Sequence, residues 1–220
     1  IDRDADAAKR VAQGILAVDD RNLRTTPIEQ RRNAAAELVR GPAGTSVRLR
    51  GARGEEADAY FFLDKTPSGW AVSAYRMMAM SGMTFMMLEE MKKRPTLPPE
   101  DQLLKRNLEL TLSTDSQLRA WFAANKPAVE TLLHAYEQQP APRAPALDRD
   151  PAPGLGPSLK ALGLTAIEDV GDGIRVTIGG MLDNTVGFFR AGPSGPPPIS
   201  PSEFIWVEDL GGGWFLFRTT

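Results

Sequence analysis

The feature that most constrains the fold of this chain is an aromatic hairpin pattern over Phe204–Phe217. Two apolar runs rich in aromatic and β-branched residues flank the turn sequence Asp209-Leu-Gly-Gly-Gly213. Such runs favour strands, and the glycines can supply the positive φ angles that a tight turn needs. We therefore predict antiparallel sheet in this part of the chain.

A similar pattern lies upstream, where the runs Tyr60–Asp64 and Trp70–Tyr75 flank a second turn-like segment. In both places a glycine precedes the tryptophan, and an acidic residue stands six positions before it. Flanking apolar residues recur at an offset of 127 positions, whereas Trp70 and Trp214 are 144 positions apart. This weak repeat predicts either a duplicated unit with a 17-residue insertion after Arg190 or hairpins that recur by chance.

The first part of the chain is predicted to hold two helices and then three strands. Apolar spacing predicts the first helix over Asp4–Leu16, and Thr26 marks the start of a second that ends at Gly41. Thr26 is a good N-cap because a proline follows it and a glutamate lies three positions on. The predicted strands are Val47–Arg50, Ala57–Leu63 and Trp70–Tyr75.

Seven of the eight methionines fall within Met77–Met91, which we interpret as a mostly buried helix that stops at Pro95. Two further helices are predicted, one opened by Pro98-Pro99 and one capped by Asp115 or Ser116. Pro127 lies inside the apolar stripe of the latter, so it is expected to kink that helix or to begin a new one.

Residues 140–157 include six prolines among eighteen residues, which predicts an extended, semi-rigid connector. Strands are predicted again at Thr165–Val170, Ile174–Ile178 and Thr185–Arg190, before the aromatic hairpin. The predicted organisation is thus a first domain over 1–94 with a helix pair, a three-stranded antiparallel sheet and the methionine-rich helix, a helical segment over 95–139, a linker over 140–157, and an antiparallel β unit over 158–220. The helical segment and the β unit are expected to form one second domain.

The predicted fold class is α+β, with helices followed by antiparallel sheet in two tandem units. Helices first and a curled antiparallel sheet after is the element order of the cystatin-like and NTF2-like folds, and the chain is similar to them in that order alone. Folds of this kind host many functions, so the similarity implies no particular activity.

Composition removes several classes of function. The chain has no cysteine, which excludes disulfide scaffolds, thiolate metal sites and cysteine nucleophiles. Its 26 basic and 28 acidic residues nearly balance, so there is no broad attraction to nucleic acid or to an anionic membrane surface. No segment has the roughly 20 apolar residues of a membrane span.

Few residues carry recognisable chemistry, and we predict no catalytic residue, no metal site and no cofactor. The single histidine, His134, has Glu130 and Glu137 as helical neighbours, a pattern typical of a solvated face. Methionine thioethers suit Cu(I), but a helix is expected to spread these side chains around its circumference. Core packing is the favoured interpretation of the methionines, with a pliable groove as the alternative.

The predicted groove for a ligand or partner takes Met77, Met80, Met83, Met87, Trp70 and Trp214. The leading hypothesis is a non-catalytic binding or protein-interaction module that holds an unknown protein or a small apolar ligand. One alternative is a small-molecule enzyme with Asp58 or Asp183 as base, and another is an assembly subunit that forms a homodimer through a sheet edge.

The setting predicted for the protein is the bacterial cell envelope, periplasmic or extracellular, with an anchor ahead of residue 1 as one option. The chain begins at Ile1 rather than at methionine, which favours removal of an upstream segment. A trimmed cytoplasmic protein is the alternative.

Overall fold

The computed structural model describes residues 30–32, 43–50, 56–67, 69–78, 81–140, 143–148, 154–181, 184–197 and 204–219. These residues form an α+β fold with two antiparallel sheets. The helices described are α1 (Ser81–Lys92), α2 (Pro99–Leu112), α3 (Asp115–Glu137) and α4 (Gly156–Leu162). The strands described are β1 (Gln30–Arg32), β2 (Ala43–Arg50), β3 (Glu56–Thr66), β4 (Gly69–Arg76), β5 (Ala146–Leu147), β6 (Ala166–Val170), β7 (Gly173–Met181), β8 (Asn184–Arg190), β9 (Phe204–Gly211) and β10 (Trp214–Thr219).

The larger sheet has six strands in the order β5-β6-β7-β8-β10-β9, and every neighbouring pair is antiparallel. The aromatic hairpin is confirmed as β9 and β10, and all three glycines of its turn have positive φ angles. Strand β10 lies between β8 and β9, so its side chains are buried on both faces. Trp214 and Leu216 belong to the core beneath the helices, whereas Phe215 and Phe217 pack in a separate cluster.

Helix α3 supplies most of the helical side of the main core. Its Phe122 ring lies 4.7 Å from Phe188 and 5.3 Å from Trp214, measured between ring centroids. Helix α2 approaches β7 closely at Gly179, where an added Cβ would come within 2.6 Å of Asn107 Oδ1. A glycine is therefore needed at this point for the helix to lie against the strand.

The smaller sheet has four strands in the order β1-β2-β3-β4, and the three predicted strands are confirmed as β2, β3 and β4. The helix predicted from Thr26 is wrong where the structure describes it, because Gln30–Arg32 forms β1 and pairs with Thr45–Val47. Pairing with the open edge of β2 satisfies backbone groups over long range and outweighs a local capping signal. The rest of that helix, and the helix predicted over Asp4–Leu16, lie outside the described residues.

Pro127 was expected to kink its helix, α3, or to begin a new one. The helix runs through Pro127 as one element of 23 residues, so no new helix begins there. Pro127 is exposed, and buried residues on either side, Phe122 and Val129, hold both halves of the helix against the sheet. The N-cap is Thr114, whose side chain and that of Gln117 form a capping box, rather than Asp115 or Ser116.

The proline-rich segment also forms more structure than a connector would. Ala146-Leu147 pairs with Ala166-Ile167 as the outermost strand of the larger sheet. Pro157 lies in the first turn of α4, a short helix that the sequence pattern did not predict. Pro145 directly precedes this edge strand, and Pro157 lies in the first turn of the helix. Proline is tolerated at both kinds of position.

Candidate functional site

An open apolar groove of about 390 Å³ lies between α1 and α2. We call it the methionine groove. It is lined by Met83, Met86, Met87, Glu90, Met91, Arg94, Asp101 and Leu104.

Four apolar side chains of this groove are exposed to solvent to an unusual degree. Exposure is 69% for Met86, 42% for Met83, 41% for Leu104 and 39% for Met87. Among the described residues five large apolar side chains are exposed, and all but Tyr75 line the groove. A contiguous exposed apolar patch of this kind marks an interaction surface far more often than scattered single residues do.

The groove arises because α1 is apolar on two faces while its main neighbour is a single helix, α2. Leu88 and Met91 pack with Leu108 in a small core between the two helices. The adjacent apolar face of α1, which borders Leu104 of α2, has no such cover among the described residues, so Met83, Met86 and Met87 are exposed. The prediction of a mostly buried helix is therefore wrong for these three side chains.

The rim of the groove carries charges that cancel. Arg94 pairs with Asp101 at 3.0 Å, and Lys93 pairs with Glu90 at 2.5 Å. The hydrogen bond to Glu90 raises the pKa of Lys93, so this cation persists at high pH. An apolar floor with a neutral rim favours an amphipathic ligand over one of strong single-sign charge.

The structure brings together only part of the predicted groove. Met83 and Met87 line it, whereas Met77 borders a separate small cavity and Trp214 is buried in the main core. Trp70 belongs to β4, but its side chain lies outside what the structure describes, as does Met80 entirely.

Three apolar residues of the groove were not predicted from the sequence, namely Met86, Met91 and Leu104, and neither were the charged residues Glu90, Arg94 and Asp101. The spacing of the methionines at 83, 86, 87 and 91 is the i, i+3, i+4, i+8 pattern of one side of a helix. That spacing was the available signal for Met86 and Met91. Leu104 belongs to the next helix, and its position opposite them depends on tertiary packing.

A second feature is a cluster of buried charged and polar groups between the two sheets, which we call the charge junction. It consists of Asp58, Tyr60, Asp115 and Arg218. Arg218 Nε donates to Asp115 Oδ1 at 2.9 Å, and the Tyr60 hydroxyl donates to the same carboxylate at 2.9 and 3.1 Å. The backbone N–H of Asp115, which is 0% exposed, donates to Asp58 Oδ2 at 2.5 Å.

Strand periodicity explains how these residues meet. Side chains two positions apart share one face of a strand, so Asp58, Tyr60 and Phe62 lie together on β3. Tyr60 and Phe62 pack on Ile205 and Trp206 of β9, with the Tyr60 ring 5.1 Å from that of Trp206. The same face of β3 therefore carries apolar contacts beside the polar ones.

Arg218 reaches the charge junction by the same rule on another strand. It lies two positions after Leu216 on β10, which places it on the helix side of the larger sheet, near the start of α3. Its Nη2 also donates to the carbonyl of Ser113 at 2.7 Å. The Arg218 guanidinium therefore bonds both to Ser113, between α2 and α3, and to Asp115, the first residue of α3.

Burial sets the protonation behaviour of the junction. Desolvation raises the pKa of Asp58, and the nearby Asp115 carboxylate raises it further, against the opposing pull of Arg218 and Arg48. Burial also raises the pKa of Tyr60 well above its usual value, so this side chain stays a neutral hydrogen-bond donor. Although burial alone would lower it, the pKa of Arg218 is raised by the adjacent Asp115 and Asp58 carboxylates, so this side chain remains a cation.

The junction leaves little room for a substrate. The cavity beside it has a volume of about 40 Å³ and is bordered by Asp58, Tyr60, Met77, Thr111 and Arg218 among others. Such a space holds a few water molecules at most. Both carboxylates already accept hydrogen bonds from the protein, so the geometry suits a structural link between the sheets better than a catalytic base.

The other residues that the sequence suggested as functional, His134 and Asp183, have less structural support. His134 is exposed on α3, and no group of three or more His, Asp or Glu side chains within the described ranges is arranged to hold a metal ion. Asp183, the other predicted base, lies outside the described residues. Within the same ranges, no helix combines the length and apolar composition that crossing a membrane requires.

The chain matches no family model, no curated protein and no solved structure.

Proposed function

We propose that this protein is a non-catalytic interaction module that binds an amphipathic helix of a partner protein in the methionine groove. The observation that carries the proposal is the gathering of Met83, Met86, Met87 and Leu104 as exposed side chains in one groove. Unbranched, polarisable methionines adapt to different apolar surfaces, which suits them to partner recognition.

The shape of the groove favours a helix over a small molecule. Small-molecule pockets bury most of their ligand, whereas a site that leaves Met86 two-thirds exposed can cover only one side of an occupant. Helix α1 has 12 residues and α2 has 14, lengths of about 18 to 21 Å. That span fits the three or four turns over which a helix presents apolar anchors to a groove.

Two fluorescein-labelled model helices of 18 residues can test the proposal, one with leucine and lysine faces and one with leucine and glutamate faces. We expect both to bind in fluorescence anisotropy, because the groove rim is neutral. Met86→Glu should weaken both at least about tenfold, by placing a charge in the apolar floor. Ala135→Glu, at an exposed site on α3, is the matched control and should leave binding unchanged.

The proposal fails if the wild-type protein binds neither peptide. It also fails if Met86→Glu and the wild type bind equally well, since binding would then lie elsewhere. Binding of only one peptide, unaffected by Met86→Glu, would assign the interaction to surface charge.

We keep the bacterial cell envelope, the setting expected from the sequence, as the proposed setting. Fractionation of cells that express the tagged full-length protein tests this. Recovery in the cytoplasmic fraction would contradict the proposed setting without affecting the proposed groove.

A further inference from the structure

Three of the groove methionines lie within one turn of α1, at positions i, i+3 and i+4. These are Met83, Met86 and Met87, and all three are exposed. Side chains with this spacing have Cβ atoms about 5–6 Å apart on the helix surface. A methionine side chain has three further rotatable bonds, so three thioether sulfurs in these positions can converge on one point.

This arrangement differs from the sequence expectation that a helix would spread its methionines around its circumference. Met77 and Met78 precede α1 and border the small cavity beside the charge junction instead. The convergent set is formed by Met83 with two methionines further along the helix.

Thioethers are soft, neutral ligands, and among common metal ions they select Cu(I) rather than Zn²⁺, Mg²⁺ or Ca²⁺. No cysteine competes for such an ion anywhere in the chain, and the single histidine lies on a different helix. Met91 and Leu104 provide an apolar wall that shields a weakly hydrated cation.

We propose that Met83, Met86 and Met87 form a binding site for one soft monovalent metal ion, Cu(I), with Ag(I) as its redox-inert analogue. The inference goes beyond the proposed function, because it depends on the sulfur atoms and not on the apolar surface. The ion lies where an incoming helix would contact the groove, so metal and partner exclude each other.

Leucine substitution separates the two roles, because leucine keeps the apolar volume and removes the sulfur. The test variant is the triple substitution Met83→Leu, Met86→Leu and Met87→Leu. The matched control, Met77→Leu with Met78→Leu, removes two thioethers that do not line the groove. Circular dichroism confirms that each variant is folded.

Native mass spectrometry with Ag(I), and anaerobic titration of Cu(I) against bicinchoninate, measure the binding. We expect one ion per chain for the wild type and the control, at least tenfold weaker binding for the triple variant, and no competition by Zn²⁺. The proposal is overturned if the wild type retains no ion, or if the triple variant binds Ag(I) and Cu(I) as tightly as the wild type.

The model helices of the previous section keep the two proposals distinguishable. Ag(I) should displace them from the wild type and from the Met77→Leu, Met78→Leu control, whereas Zn²⁺ should displace them from neither. Ion binding without peptide binding would defeat the interaction module alone. Peptide binding without ion binding would defeat the metal site alone.

Discussion

The methionine groove and the charge junction place their residues in opposite environments. The groove leaves apolar side chains in water, on two helices close in sequence. The junction buries charged side chains, and its hydrogen bonds join residues that are 55 to 103 positions apart in sequence. An exposed apolar patch is costly unless something covers it, which indicates a ligand. Buried ions persist only when paired and hydrogen-bonded, which indicates a link within the fold.

The largest effect should follow from Arg218→Met, which removes the buried cation of the junction. Asp115 would remain buried with its charge uncompensated, so we expect the free energy of unfolding to fall by about 3–5 kcal/mol. Urea denaturation measures the loss. Arg119→Met is the matched control, because Arg119 pairs with Glu208 at 2.8 Å near the surface and should cost about 1 kcal/mol or less. Equal losses in the two variants would contradict a special role for the junction.

A smaller effect is expected from Tyr60→Phe, which keeps the ring against Trp206 and removes only the hydroxyl. Asp115 then loses one donor but keeps Arg218, so the expected loss is about 1.5–3 kcal/mol, the range for a hydrogen bond to a charged group. Urea denaturation again provides the measurement. A double variant with Arg218→Met should lose less than the sum of the two, because both act on one carboxylate. Simple additivity would mean that the two donors act independently.

The third prediction concerns pH. The folded pKa of Asp58 is raised above its unfolded value of about 3.9. This shift favours folding at pH values below the unfolded pKa and is lost as the pH rises through the folded pKa. Asp58→Asn cannot ionise, so the stability of the wild type relative to this variant should fall between about pH 4 and neutral pH. A relative stability that instead increases with pH would show that the folded pKa is lowered.

The smallest effect on stability should come from the groove. Met86→Glu introduces a charge at a side chain that is already mostly solvated, so unfolding should change by no more than about 0.5 kcal/mol. Loss of peptide binding with unchanged stability would sharpen the contrast between the two regions. If the free energy of unfolding instead fell by several kcal/mol, Met86 would contribute to core packing, and this result would contradict a binding surface there.

Local sequence patterns predicted the parts of the fold that depend on local chemistry. The turn glycines and aromatic runs identified β9 and β10, and Pro98-Pro99 marked the start of α2. Strand β1 was missed because its structure depends on pairing with β2, and no local feature of either segment indicates that pairing. Of the two outcomes expected at Pro127, a new helix does not occur, because packing on both sides holds α3 as one element.

The methionine groove could be predicted in part from the sequence, and the charge junction hardly at all. Met83 and Met87 were identified by composition, and helical spacing extends naturally to Met86 and Met91. The charge junction has no local signal except Arg218, a charged residue at a core-facing position of an apolar strand. Its partners come from β3 and α3, and no spacing rule connects those elements.

The predicted duplication stays a prediction, and strand pairing adds detail to it. Val47 lies opposite Ala59, twelve positions on, whereas Ile174 lies opposite Arg190, sixteen positions on. The two hairpins that the repeat would align therefore differ in register.

The position of β10 has a consequence for how the chain folds. It is the latest strand of the described sequence, yet it lies inside the sheet between β8 and β9. The sheet cannot extend strand by strand in sequence order, because β9 has no neighbour to pair with until β10 has arrived. We expect the β9–β10 hairpin to form by itself within microseconds and then dock on β8 as a unit. That slower, non-local docking step would set the folding rate and would bring Arg218 to Asp115 at the same moment.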